Sequence, residues 1–168
     1  MQVTHDFDGQ LAIQSIASRL TASEQLVRDR VMEQIIEQGG PLTAADLQHL
    51  AALRSLDVAE QLAALREKRT IVVNQEGFIT FSYPVSALPT SHRVTLADGR
   101  SFYAMCAVDA MGSAFTFRQD IRVDSQCSYC RQPVHLETGN QRIIELQPAA
   151  THVLHVDLNR YDNWSGSC

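Results

Sequence analysis

Arg66-Glu67-Lys68-Arg69-Thr70-Ile71-Val72-Val73-Asn74-Gln75-Glu76-Gly77-Phe78-Ile79-Thr80-Phe81-Ser82 is the stretch in which the sequence changes its period. Before it, apolar residues recur every three or four positions, the spacing that puts one stripe on a helix. Within it, β-branched and aromatic residues form two short runs, 70–73 and 78–82, on either side of the turn-forming Asn74-Gln75-Glu76-Gly77. A helix ending in Arg66, Lys68 and Arg69 sets cations against the negative end of its dipole. The stretch therefore predicts a helix that hands over to a β-hairpin.

Working back from it, the spacing predicts this helix over 58–68, with Leu62 and Leu65 inward. A second helix is capped by Thr43, with Asp46 three residues on, and carries Leu47, Leu50 and Ala51 on one face. The first begins at Thr21-Ala22-Ser23-Glu24, repeats Leu26, Val27, Val31, Ile35 and Ile36, and stops at Gly39-Gly40-Pro41. Residues 1–20 are weakly patterned and are expected to be a loose arm. Three helices and a hairpin over 21–83 make a winged-helix-like unit. Working forward, Pro84 and Pro89 suggest a linker over 84–91. Two runs, 92–96 and 101–105, flank Asp98-Gly99 and predict a second hairpin. A short helix is expected from Cys106 to Gly112, opening directly off the strand. Further strands are expected at 120–124, 134–137, 143–146 and 153–156. The predicted class is α+β: a helical subdomain, then a strand-rich mixed-sheet subdomain over 92–168 with a short helix after the Cys106 strand.

Composition narrows the function. The 168 residues are 45% hydrophobic and 20% charged, with 14 Lys+Arg against 19 Asp+Glu and a net charge of −5. This is an ordinary globular composition. No apolar run reaches the 18 or more residues that span a bilayer, so no membrane partner is expected. The N-terminus lacks a basic region followed by an apolar one, so the expected location is the cytoplasm, where the four cysteines are thiols. A winged helix invites a DNA-reading role for its third helix. However, residues 1–91 hold seven basic side chains against eleven acidic ones, and the third helix offers Asp57, Glu60 and Glu67. Phosphate neutralisation carries DNA affinity, so this charge argues against a nucleic-acid partner.

The most informative chemistry lies in Phe102-Tyr103-Ala104-Met105-Cys106-Ala107-Val108-Asp109-Ala110-Met111. Cys106 is expected at a helix N-terminus, where the dipole favours the thiolate. Asp109, three residues on, shares its face and can exchange a proton with it. With reference pKa values of about 8.5 for Cys and about 3.9 for Asp, unaided transfer is uphill, so a thiophilic electrophile must drive it. The competing reading is a buried Cys acting as a small hydrophobe beside a capping Asp.

Tyr103-Ala104-Met105-Cys106-Ala107-Val108-Asp109, with Cys127 21 positions after Cys106 and then Pro133-Val134, resembles the core of the organomercurial (alkylmercury) lyase family, MerB. The similarity runs from about Val27 to Cys168 and is specific at 103–109; Met105 stands where the lyases often carry Trp. The resemblance implies that Cys106 is the first mercury-binding cysteine, Asp109 the catalytic aspartate and Cys127 a structural cysteine. It further implies that Cys168, 41 positions after Cys127, is the second mercury-binding cysteine. The family continues beyond that cysteine, a segment this sequence lacks. The implied reaction is protonolysis of a carbon–mercury bond, with no resident cofactor. An organomercurial is the substrate and Hg(II) the product, which cellular thiols or a mercuric reductase would remove. Soft thiolates are the side chains that compete for such a cation.

Cys127-Ser128-Tyr129-Cys130 is also half of a zinc knuckle, and only Cys106, Cys168, His135, His152 and His155 could complete it. The alternative is one buried cysteine and one surface thiol in a turn, with Cys130 unexplained. His152 and His155 fall in an alternating run that places them on opposite faces of a strand, and Trp164 is expected to pack on the sheet. Two other functions compete with the lyase: a thiol- or metal-sensing winged-helix regulator, and a mercury or zinc binder without turnover.

Overall fold

Capping chemistry sets the helical half. The computed structural model of the chain describes residues 16–140 and 142–153. After a 3₁₀ turn at Ile16–Arg19, α1 (Ala22–Gln38) begins at Thr21 with a reciprocal capping box. The Thr21 hydroxyl accepts from the Glu24 amide, and the Glu24 carboxylate accepts from the Thr21 amide. Gly39, at φ 70°, closes the helix in the left-handed conformation that costs glycine little. Thr43 and Asp46 form the same box at α2 (Ala44–Gln48), and Asp57 caps α3 (Val58–Glu67). α2 is shorter than expected: it gives way to a 3₁₀ turn at Ala51–Leu53. That turn buries Leu53 and leaves Ala51 exposed, so the inward residues there are Leu47 and Leu53.

The hairpin follows as β1 (Ile71–Val73) and β2 (Ile79–Ser82), paired antiparallel. Its turn is organised by Asn74, whose side-chain oxygen accepts from the amides of Glu76 and Phe78, and by Gly77 at φ 87°. Next come β3 (Val85–Ser86), β4 (His92–Leu96), β5 (Ser101–Ala104), α4 (Ala107–Phe117), β6 (Ile121–Gln126), β7 (Pro133–Gly139) and β8 (Arg142–Gln147).

Two expectations are corrected here. The sheet is antiparallel at every pairing rather than mixed: consecutive strands are joined by hairpins except at two crossings, from β3 to β4 and from β5 over α4 to β6, each of which skips one strand position and so leaves every neighbouring pair antiparallel. Residues 84–91, expected as a linker, contain β3 instead. This strand pairs with β2 on one side and β5 on the other, so all strands among the described residues join one eight-stranded sheet in the order β1-β2-β3-β5-β4-β6-β7-β8. The physical reason is burial: Val85, Ser86 and Ala87 lie inside, and Ser86 and Leu88 close a local side-chain turn. Behind this crossing, the buried Arg28 guanidinium of α1 donates to the Tyr83 carbonyl.

One core runs through both halves. Val27, Val31, Ile35, Leu62 and Leu65 from the helices meet Ile71, Ile79 and Val85, and continue to Val94, Phe102, Ile121 and Leu136 under the sheet. A fully buried side chain of this kind contributes about 1.5–3 kcal/mol. α4 lies across β4, β5 and β6 on its small residues Ala110, Ser113 and Ala114, which let it approach closely. Phe117 anchors its end against Phe102 with ring centroids 5.3 Å apart. Among the described residues no helix is long and apolar enough to cross a membrane.

Candidate active site

The expected helix after Cys106 is present and longer than the pattern implied, running to Phe117. Cys106 is its N-cap, with extended backbone (φ −143°, ψ 176°), and its sulfur accepts from the Asp109 amide at 3.5 Å. A cysteine thus occupies the position usually held by Ser, Thr or Asp, where helix amides converge on an anion. The Cys106 thiol also lies 3.4 Å from Asp109 Oδ2 and donates to it. Asp109 is buried, at 9% exposure. Burial pushes its carboxyl from 3.8 up to about 7, against the opposing pull of the Cys106 hydrogen bond. That changes the proton economics anticipated from reference values. Transfer from a thiol at about 8.5 to a carboxylate at about 3.9 costs about 6 kcal/mol, and to one near 7 about 2 kcal/mol.

Cys106 opens onto a cleft of about 540 Å³ between the start of α4 and the far end of the sheet. Ala107, Val108 and Met111 form one wall; Val123, Val134, Leu136 and Ile143 form the other. His92, Ser125, Cys127 and Arg131 supply its polar groups. His92 and Ser125 had no assigned role in the sequence reading. The signal was nevertheless in the alternation: His92 precedes the inward Val94 and Leu96 by steps of two, and Ser125 and Cys127 follow the inward Val123 in the same way. The imidazole of His92 shares a 2.7 Å hydrogen bond with the Ser125 hydroxyl, and desolvation holds its pKa below the ordinary histidine value.

The other predicted site residues separate. Cys127 is half-buried in the turn after β6 and lines the cleft, whereas Cys130 is exposed. His135 sits on β7 with one ring nitrogen on Asp124 and the other on Glu137, which raises its pKa. The single group of three metal-ligating side chains among the described residues is His135, Glu137 and Glu145, so no described histidine completes a zinc site around Cys127 and Cys130. His152 is exposed at the cleft edge. Cys168, His155 and Trp164, and most of the strand expected at 153–156, lie outside the described residues; Val153 itself is not in a strand.

Comparison with known proteins bears on this geometry. Alkylmercury lyases of Bacillus cereus, Clostridium butyricum and Staphylococcus epidermidis are each 23% identical to the chain over 124 residues, 74% of its length. The chain spans about 55% of the length of these relatives. A crystal structure of the mercury-bound form of MerB2 shares the fold with a TM-score of 0.56 at 20% identity, over 76% of this chain and 66% of that one. The sequence model of the MerB alkylmercury lyase family matches residues 85–168, which is half of the chain and contains Cys106, Asp109, Cys127 and Cys168. On that match, the chain belongs to the alkylmercury lyase family.

Proposed function

We propose that the protein is an organomercurial lyase that breaks carbon–mercury bonds by protonolysis, with Cys106 binding mercury and Asp109 transferring the proton. The observation that carries this reading is the contact between Cys106, which lines a largely apolar cleft, and the buried Asp109 behind it. In the proposed sequence Cys106 takes R–Hg⁺ as a thiolate, and Cys168 adds a second sulfur. Electron donation from sulfur makes the mercury-bound carbon more basic, and Asp109 delivers to it a proton that a thiol has surrendered. The balance is R–Hg⁺ plus two thiols giving R–H, one H⁺ and Hg(II) held as a bis-thiolate. Asp109 is base to the thiol and then acid to the carbon, and a carboxyl poised near neutrality does both at low cost. The cleft has room for aryl as well as alkyl groups, and its Val, Met and Ile walls suit either. Cellular thiols or a mercuric reductase would then receive the Hg(II).

The helical unit, read here as winged-helix-like, serves this enzyme as a packing platform. Glu60 and Glu67 are exposed on α3, and Lys68 at its end is tied to Glu24 at 2.7 Å. That surface suits a phosphate backbone poorly and disfavours the regulator. The test is release of hydrocarbon and Hg(II) from phenylmercury or methylmercury. Cys106→Ser and Asp109→Asn are each expected to abolish hydrocarbon formation, Asp109→Asn while still binding the organomercurial at Cys106. Stoichiometric mercury binding by the native chain with no hydrocarbon would reject the enzyme in favour of a binder.

A further inference from the structure

Cys130 has no role in protonolysis, and the turn that carries it is more organised than a surface loop requires. The Cys127 amide donates to the Gln132 carbonyl at 2.9 Å and the Arg131 amide to the Cys127 carbonyl at 3.0 Å, closing residues 127–132 into a knuckle. Inside it, the backbone amides of Tyr129 and Cys130 and the Cys130 thiol all hydrogen-bond to Cys127. Arg131 adds a positive charge beside that sulfur and adopts φ 62°, a left-handed conformation that is uncommon for a residue with a Cβ. Amides and a cation converging on one sulfur stabilise negative charge there, whether on a thiolate or on a metal-bound thiolate. Both Cys127 and Arg131 line the same cleft as Cys106.

We propose that Cys127 and Cys130 form a second soft-metal site, a dithiol at the rim of the cleft that chelates Hg(II), with Cys127 lining the cleft that Cys106 also lines and Cys130 on the exposed side of the turn. Two sulfurs within hydrogen-bonding reach can take a two-coordinate ion, each losing its proton, so that Hg²⁺ and two thiols give a neutral bis-thiolate and two H⁺. The donor number selects the metal class. Zinc in a structural site takes four ligands, and the described residues offer no third ligand here. Hg(II) is satisfied by two thiolates and is softer. The origin of the ion as the product of Cys106 rests on the lyase reading; the chelate itself does not.

The experiment uses the full chain carrying Cys106→Ser and Cys168→Ser, loaded with mercuric chloride in the presence of a competing monothiol and then desalted. A chelating pair presents its second thiol at an effective concentration in the millimolar range, so it retains mercury against a dilute monothiol. The expected result is one mercury per chain with a thiolate-to-mercury absorption band in the near ultraviolet. Retention should fall at least about tenfold when either Cys127→Ser or Cys130→Ser is added. Cys130 is exposed, so its replacement tests the site without disturbing the core; circular dichroism of each variant checks the fold. No mercury retained in the double-serine background, retention indifferent to Cys130→Ser, or preferential retention of zinc would each overturn the proposal. Because the probe is inorganic Hg(II), absence of hydrocarbon release in the lyase assay is a separate failure, read on a different product.

Discussion

Asp109→Asn should make the protein more stable above neutral pH while removing its chemistry. The Asp109 carboxyl lies near 7 in the folded chain against 3.8 ordinarily, because burial opposes its charge. The folded value is the higher one, so the native state holds the proton more tightly than the unfolded chain. The stability tied to that proton is complete below pH 3.8. It is lost as pH rises towards 7, at about 1.4 kcal/mol per pH unit. Over the interval of 7 minus 3.8, the total is about 4 kcal/mol at 1.36 kcal/mol per unit. Asparagine keeps the shape and an oxygen for the Cys106 thiol but carries no charge to desolvate. Urea unfolding of both proteins across the range from about pH 4.5 to about pH 8 measures the difference. The expected gap in favour of Asp109→Asn approaches about 4 kcal/mol at the alkaline end and narrows steadily towards the acid end. A gap that stays flat with pH, or an asparagine variant less stable at pH 8, would refute the view of Asp109 as a buried proton carrier held against its solvation preference.

The environments of His92, in the cleft, and His135, outside it, should separate in an NMR titration. His92, desolvated beside Ser125, is expected to titrate below 6.5, and His135, flanked by Asp124 and Glu137, above it; the reverse order would contradict both assignments. Leu65→Ala removes a fully buried side chain where α3 meets the core and should cost about 2–5 kcal/mol in chemical denaturation. Lys68→Ala strips the Nζ donor from the buried Glu24, whose pKa is lowered chiefly by that hydrogen bond. Its destabilisation should be complete at pH 7, begin to fade only as pH falls below 4.5, and vanish through the lowered Glu24 value, visible as converging melting curves.

Local chemistry made much of this molecule legible in advance. Thr21, Thr43 and Gly39 act through neighbours within a few residues, and so does Asn74; the helix starts, the end of α1 and the hairpin turn appear where the pattern put them, though α2 ends early. The Cys106–Asp109 pair is likewise a property of three-residue spacing at a helix start. What escaped was non-local. Two residues at β3 carry no periodicity of their own, and prolines on both sides mimic a linker; only the flanking strands turn the segment into sheet. The antiparallel direction of the sheet likewise depends on how α4 returns the chain. The placement of Cys127 on the same cleft as Cys106 depends on β6 pairing with β4, a relation between distant residues.

The two-residue strand β3 also decides what kind of object can be cut from this chain. It stitches the hairpin of the helical half to β5, the strand that ends just before the mercury-binding cysteine proposed here, and Arg28 of α1 bolts the same crossing from behind. The boundary between the halves is therefore a seam within one fabric. A fragment starting after it would expose a bare strand edge at β5 and the apolar undersides that α1 and α3 cover. Such a fragment is expected to lose the positioning of Cys106 together with its fold, so damage far off in the helices should register as slack at the cleft.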